Sequence, residues 1–221
     1  MSLTLYFVRH GETTHSKTDR FCGALDPELT EAGETMAKAF SDSYADIPWQ
    51  AVFASPLRRT VATAKYLCEK TGLEMQQRDG LREMRYGDWE DRSKEYVRQH
   101  YPQDYERWTA EPAWNPPTGG ETAVQVASRA SLVIAEIADA YPTGDVLVVS
   151  HKTTIRIILC SLMGLDLGRY RDRIAMPVAA VSVVEFDEHG PLLQRLGDRA
   201  HLPQEFLTPT GLGSPKQSDR T

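Results

Sequence analysis

The run Leu3-Thr4-Leu5-Tyr6-Phe7-Val8 (residues 3–8) is apolar and rich in β-formers, and it stops abruptly at Arg9-His10-Gly11. A short apolar run halted by polar residues and a glycine reads as a buried strand that delivers reactive side chains to its C-terminal end. In an open α/β sheet that end is where ligands bind. Two later stretches repeat the pattern: residues 51–54 (AVFA) run into Ser55-Pro56-Leu57-Arg58-Arg59, and residues 145–149 (DVLVV) run into Ser150-His151.

Helical spacing fills the intervals. Thr30 caps a stretch to about Tyr44 in which Met36, Ala37 and Phe40 share a face. Pro56 suits the first turn of a helix over 57–70, where its missing N–H costs nothing, with Val61, Ala64, Tyr66, Leu67 and Cys68 inward. Residues 122–140 place Val126, Ala130, Val133, Ile134 and Ile137 on one stripe, and 153–163 form an apolar helix. Residues 94–108 read as helical on both sides of Pro102, with Tyr96, Tyr101, Tyr105 and Trp108 as a packing stripe. The proline- and glycine-rich 111–120 is a loop. Residues 178–186 and 192–196 are further strands.

This alternation predicts an α/β fold, a three-layer α/β/α arrangement with a mainly parallel central sheet. At about 150 residues per domain, 221 residues without a repeat or linker suit a single domain over 1–207. Residues 81–120 form a small helical insert or cap that shapes the pocket mouth, and the polar 208–221 is expected to be a disordered tail.

Composition narrows the function. With 25 basic against 31 acidic residues the net charge is −6, and no basic block exists to bind nucleic acid or an anionic membrane. No apolar run approaches the roughly 20 residues that span a bilayer. The charged Arg9-His10 pair comes too early for a secretory leader. Cys22, Cys68 and Cys160 are odd in number and widely spaced, which fits packing roles in a reducing cytoplasm rather than a disulfide framework or zinc site.

The three strand ends bring cations together. Arg9-His10, Arg58-Arg59 and His151 would converge on one sheet edge as a phosphate site, since arginine offers a planar fork of donors and histidine a nucleophile or acid. A neutral imidazole attacking phosphorus needs no metal, and cations on the equatorial oxygens supply most of the remaining catalysis. A carboxylic acid must protonate the leaving oxygen, and Glu83 in Leu81-Arg82-Glu83 is the natural candidate.

These residues also carry a family resemblance. Phe7-Val8-Arg9-His10-Gly11-Glu12-Thr13 resembles the R-H-G signature of the histidine phosphatase superfamily, the phosphoglycerate mutase-like proteins. Ser55-Pro56-Leu57-Arg58-Arg59-Thr60, Leu81-Arg82-Glu83 with Tyr86-Gly87-Asp88-Trp89-Glu90, and Val149-Ser150-His151 match that family's later motifs in order. The resemblance implies that His10 is the phosphorylated nucleophile, that Arg9 and Arg59 bind the phosphoryl group, that His151 is the second pocket histidine, and that Glu83 is the acid/base. Ser16 falls where many members have a residue touching the phosphate. Lys152 and Asp91 depart from the family's usual small residues; Lys152 is either a ligand for a second anionic group or a solvated lysine. Tyr86 and Trp89 are expected at the pocket mouth, and His15, His100, His189 and His201 at the surface.

The implied activity is metal-independent hydrolysis of a small phosphate monoester, a sugar phosphate or phosphoglycerate-like metabolite, through a phosphohistidine and without a cofactor. A mutase-type phosphotransferase is the alternative, disfavoured because 111–120 is short and lacks the mutases' arginine pair; a noncatalytic phosphometabolite sensor is another. The substrate and the oligomeric state, a homo-oligomer included, stay open.

Overall fold

The structure is a computed structural model that describes residues 2–18 and 20–207. Six strands form one sheet: β1 (Leu3–Arg9), β2 (Trp49–Ala54), β3 (Met75–Gln77), β4 (Gly144–Ser150), β5 (Val181–Asp187) and β6 (Gly190–Asp198). Their spatial order is β3-β2-β4-β1-β5-β6. The pairs β2/β3, β2/β4 and β1/β4 are parallel, whereas β5 runs antiparallel to both β1 and β6. The sheet is thus parallel over the half that carries the three polar strand ends, and closes on a hairpin at the other edge.

The period of two along each strand separates two cores. Leu5 and Phe7 of β1 and Val146 and Val148 of β4 pack on one face, and Val8, Leu147 and Val149 on the other. The first face is covered by α6 (Ala123–Ala140) and α7 (Lys152–Leu162), the second by α2 (Glu31–Tyr44) and α3 (Arg58–Thr71). Burial on both faces explains why these strands read as continuous apolar runs. The expected three-layer architecture is present.

Helix starts follow the local chemistry. The Thr30 side chain accepts from the Gly33 amide to cap α2, and Thr122 with Gln125 forms a reciprocal capping box on α6. Pro56 differs from expectation: it lies in the bend before α3, whose first residue is Arg58. The 81–120 segment holds α4 (Lys94–His100) and α5 (Pro102–Ala110), broken at Tyr101 ahead of the proline as the sequence predicts. Short helices α1 (Thr14–Thr18), α8 (Tyr170–Arg173) and α9 (Gln204–Leu207) complete the fold.

Three expectations need comment. Trp89 is fully buried among Phe21, Tyr101, Tyr105 and Trp108, so it fills the core under the insert instead of lining the mouth. His201 is not a surface residue: its ring stands edge-on to Phe40 and Tyr44 at 5.8 and 5.7 Å, and burial lowers its pKa to about 4. The tail expected over 208–221 lies outside the described residues. No helix among those described is long and apolar enough to cross a membrane.

Candidate active site

Register builds the site. In the parallel β1/β4 pair Arg9 stands opposite Ser150, so the next residues, His10 and His151, emerge side by side from neighbouring strands. Their rings lie 5.3 Å apart at 61°, and the His10 amide donates to the Ser150 carbonyl. Both side chains are buried.

The tautomer of His10 follows from its partner. Nδ1 lies 2.8 Å from the Gly11 carbonyl, which can only accept, so Nδ1 carries the proton and Nε2 keeps its lone pair. Burial, then the charges of Arg59 and Arg9, holds the imidazole well below its ordinary pKa of 6.5. It is therefore a neutral imidazole at physiological pH, with the Nε2 lone pair available.

Gly11 is constrained twice. A Cβ there would come 2.5 Å from the Gly33 carbonyl, so the loop after β1 and the start of α2 touch through backbone. The Gly11 amide donates to Thr63 Oγ1, which in turn donates to the Arg59 carbonyl one turn back in α3. One buried hydroxyl thus ties the loop after His10 to the helix that carries Arg59.

Arg59 sits in the first turn of α3, nearly inaccessible at 1% exposure. Its Nε donates to His151 Nδ1 at 3.2 Å, Nη1 to the Leu25 carbonyl and Nη2 to the Gly23 carbonyl. Each terminal nitrogen has a second N–H, which suits two phosphoryl oxygens. Because Nδ1 of His151 accepts, its Nε2 carries the proton and donates to Ser55 Oγ at 2.8 Å. Burial and the neighbouring Arg59 also keep His151 well below its usual pKa. Arg58, by contrast, points outward to Glu28 and Asp26. Arg9 is buried and its Nη1 donates to the Met176 carbonyl.

Glu83 is buried at the N-terminus of α7. One carboxyl oxygen accepts from the Met84 and Thr154 amides, the other from the Thr153 amide. The Thr153 and Thr154 amides are among those that the first turn of α7 leaves without helical partners. The Tyr86 hydroxyl lies 2.9 Å from Thr153 Oγ1, which puts Tyr86 against the same turn.

Ser16 is placed differently from the others: its Oγ donates to the Thr13 carbonyl and accepts from the Thr13 amide, a local turn at the start of α1. Lys152 is the first residue of α7, where a cation opposes the helix dipole.

Several residues had no assigned role in the sequence. Ser55 and Thr63 orient His151 and the Gly11 amide. Glu90 Oε1 accepts from the Ala24 and Tyr86 amides and so joins the Arg59-bound loop to the Glu83 segment. Arg156 lies one turn beyond Lys152 on the same face of α7, with its Nε buried and lacking a hydrogen-bond partner among the described residues. Burial lowers its pKa, against the opposing influence of Tyr170, Tyr86 and Glu83. Ser55 and Glu90 stood within the motif strings of the sequence, whereas Thr63 and Arg156 carried no local signal.

Known proteins resemble this chain in sequence and fold. The family model of the histidine phosphatase superfamily (branch 1) matches residues 5–199. Phosphoserine phosphatase 1 of Hydrogenobacter thermophilus is 30% identical over 92% of this chain and 96% of its own. Glucosyl-3-phosphoglycerate phosphatase of Mycobacterium tuberculosis is 30% identical over 75% of this chain and 78% of its own. Among solved structures, Bacillus stearothermophilus YhfR superposes with a TM-score of 0.85 at 26% identity, covering 91% of this chain and all of that one. The mycobacterial glucosyl-3-phosphoglycerate phosphatase superposes with a TM-score of 0.82 at 27% identity, covering 90% and 100%. Phosphomonoester hydrolysis is the activity the chain shares with these relatives. By matched motifs, family model and fold alike, the chain belongs to the histidine phosphatase superfamily.

Proposed function

We propose that the protein hydrolyses a small phosphate monoester carrying a second anionic group, through a phosphohistidine on His10 Nε2. The observation that carries the mechanism is the Nδ1–H donated to the Gly11 carbonyl, in a ring kept neutral by burial and two arginines. Nε2 attacks phosphorus, the phosphorus–oxygen bond to the leaving group breaks, and Glu83 supplies the proton that the departing oxygen takes. Arg9 and Arg59 hold the equatorial oxygens, and His151, fixed between Ser55 and Arg59, keeps the guanidinium aimed at them. Water then attacks the phosphohistidine, returns a proton to Glu83 and releases inorganic phosphate, freeing Nε2. No step requires a metal ion, and chelation should leave turnover unchanged.

Arg156 supports the second anionic group. A guanidinium with a buried Nε and no hydrogen-bond partner among the described residues is matched to a carboxylate or phosphate that the substrate brings. Lys152, one turn away on the same face, would share that charge, and the 81–120 insert would close the mouth over it. The relatives' printed substrates, phosphoserine and glucosyl-3-phosphoglycerate, both combine a phosphate ester with a carboxylate, and the three unpaired thiols fit a reducing cytoplasm.

The test is a phosphate-release screen comparing carboxylated esters such as phosphoserine and the phosphoglycerates with neutral sugar phosphates. His10→Ala should abolish turnover and the acid-labile, alkali-stable label. Arg156→Met should raise KM for carboxylated esters about tenfold while sparing p-nitrophenyl phosphate, given the worth of a charged hydrogen bond. Equal effects on both substrates would refute the second-anion reading, and full activity in His10→Ala would refute the mechanism.

A further inference from the structure

The segment that presents Glu83 has almost no regular structure of its own. A single 3-10 turn over Asp79–Leu81 precedes it, and residues 82–86 belong to no helix or strand. A carboxylate that must meet a leaving oxygen needs its backbone fixed, because small misplacements cost large factors in rate. Two of its anchors come from the β4–α7 side: Ser150 Oγ donates to the Leu81 carbonyl and Thr154 Oγ1 to the Arg82 carbonyl.

The opposite side is held by one arginine on α6. Arg129 Nη1 donates to the carbonyls of Gly80 and Arg82 at 2.7 and 2.8 Å, and Nη2 donates to the carbonyl of Glu83 itself at 3.2 Å. Glu121, buried at 7% exposure, accepts from Arg129 Nε and Nη2, both at 3.1 Å. The same carboxylate accepts from the Arg85 amide, and the Glu121 amide donates to the Arg85 carbonyl. The pair therefore grips the chain on both sides of Glu83. Gly80 permits the approach, since a Cβ there would come 2.6 Å from the Arg129 carbonyl and from Val133 Cγ2.

Only arginine fits this task. Its planar fork reaches carbonyls and a carboxylate at once, whereas lysine offers one point charge. A surface ion pair would contribute little to stability, but this one spends its donors on three carbonyls of the Glu83 segment.

We propose that Arg129 and Glu121 are positioning residues for Glu83: together they set where its carboxyl group meets the leaving oxygen, without touching substrate. This rests on the reading of Glu83 as the acid. The consequence is specific to the leaving group. An ester whose alcohol departs readily as an anion needs no proton, whereas an alkyl ester does, so loss of aim at Glu83 is felt by the second alone.

The experiment measures kcat/KM, which reports formation of the phosphoenzyme, for p-nitrophenyl phosphate and for an alkyl ester, phosphoserine, in wild type, Glu83→Gln, Arg129→Met, Arg129→Lys and Glu121→Gln. Thermal melts and circular dichroism establish that each variant is folded. We expect Arg129→Met and Glu121→Gln to lose about 10²-fold on the alkyl ester and under about threefold on the nitrophenyl ester, the pattern of Glu83→Gln, with Arg129→Lys between. If Arg129→Met does not fold, Glu121→Gln and Arg129→Lys carry the comparison. Equal losses on both esters, or none, in folded variants while Glu83→Gln discriminates would overturn the positioning role alone. A Glu83→Gln enzyme that does not discriminate would overturn the acid assignment, and the positioning role with it.

Discussion

Thr63→Val tests whether a single buried hydroxyl links the His10 loop to Arg59. Thr63 is inaccessible on α3, accepts from the Gly11 amide at 3.1 Å and donates to the Arg59 carbonyl at 2.7 Å. Valine keeps the shape and the β-branch, so no cavity opens. The Arg59 carbonyl retains its helical partner, and its loss is minor. The Gly11 amide is buried and is left without an acceptor, which costs about 1–3 kcal/mol. A loss of about 2 kcal/mol lowers the melting temperature of a chain this long by about 4–8 °C. The Gly11 carbonyl also holds His10 Nδ1–H, so a shifted Gly11 peptide should lower kcat about tenfold by turning the ring off its line of attack. Thr63→Ser keeps both bonds and should restore kcat to within about threefold of wild type. Urea unfolding and phosphate-release kinetics on the three proteins decide it. A Thr63→Val protein as stable and active as wild type, or a serine variant as impaired as the valine one, would refute the linkage.

Asp91 has a φ of +60°, a left-handed conformation that glycine adopts freely and aspartate tolerates. Its carboxylate meets His15 and Arg20 only at the surface, so Asp91→Gly should change unfolding free energy by less than about 1 kcal/mol, while Asp91→Ala should lose about 1–2 kcal/mol. His201 has a folded pKa of about 4 against 6.5 unfolded, so the unfolded chain binds the proton first and stability present above pH 6.5 falls as pH drops toward 4. Between pH 7.5 and 5 wild type should lose about 1 kcal/mol more than His201→Leu, after discounting for partial exposure, in urea titrations where the losses from His10 and His151 cancel. A pH-independent difference would count against that account. Arg59→Lys gives up the bonds to His151, Leu25 and Gly23 together and should cost at least about 10²-fold in kcat/KM on every ester, nitrophenyl included, because the phosphoryl fork is lost.

What the sequence made legible was whatever repeats with the period of its own element. The strands 3–8, 51–54 and 145–149 are apolar on both faces because helices cover both, and their polar ends mark the sheet edge. β3, with the residues Met75-Gln76-Gln77, pairs on one side only and is not fully buried, so it carries no apolar signature. Trp89 sits in a stretch otherwise rich in site residues, and only the packing of α4 and α5 above it decides that it faces inward. Arg129, Glu121 and Arg156 are charged residues on or beside amphipathic helices, indistinguishable in sequence from a solvated face. Arg129 and Glu121 meet backbone carbonyls, a backbone amide and each other, partners that come together only after the chain has folded.

The convergence of His10 and His151 follows from register, which no local pattern specifies. In the parallel pair, Arg9 opposite Ser150 sets the two histidines level, and a slip of one residue would bring Arg9 or Gly11 level with His151 while turning Leu5 and Phe7 from the α6/α7 side to the α2/α3 side. Phe7 and Val148 are fully buried, so that slip would force side chains into spaces packed for others, a misfit that costs about 1–3 kcal/mol at each site. The packing of β1 and β4 between two helix layers thus fixes the spacing of His10 and His151 as a by-product of fixing the core, and residues 141 positions apart need no direct covalent or sequence-local constraint to meet.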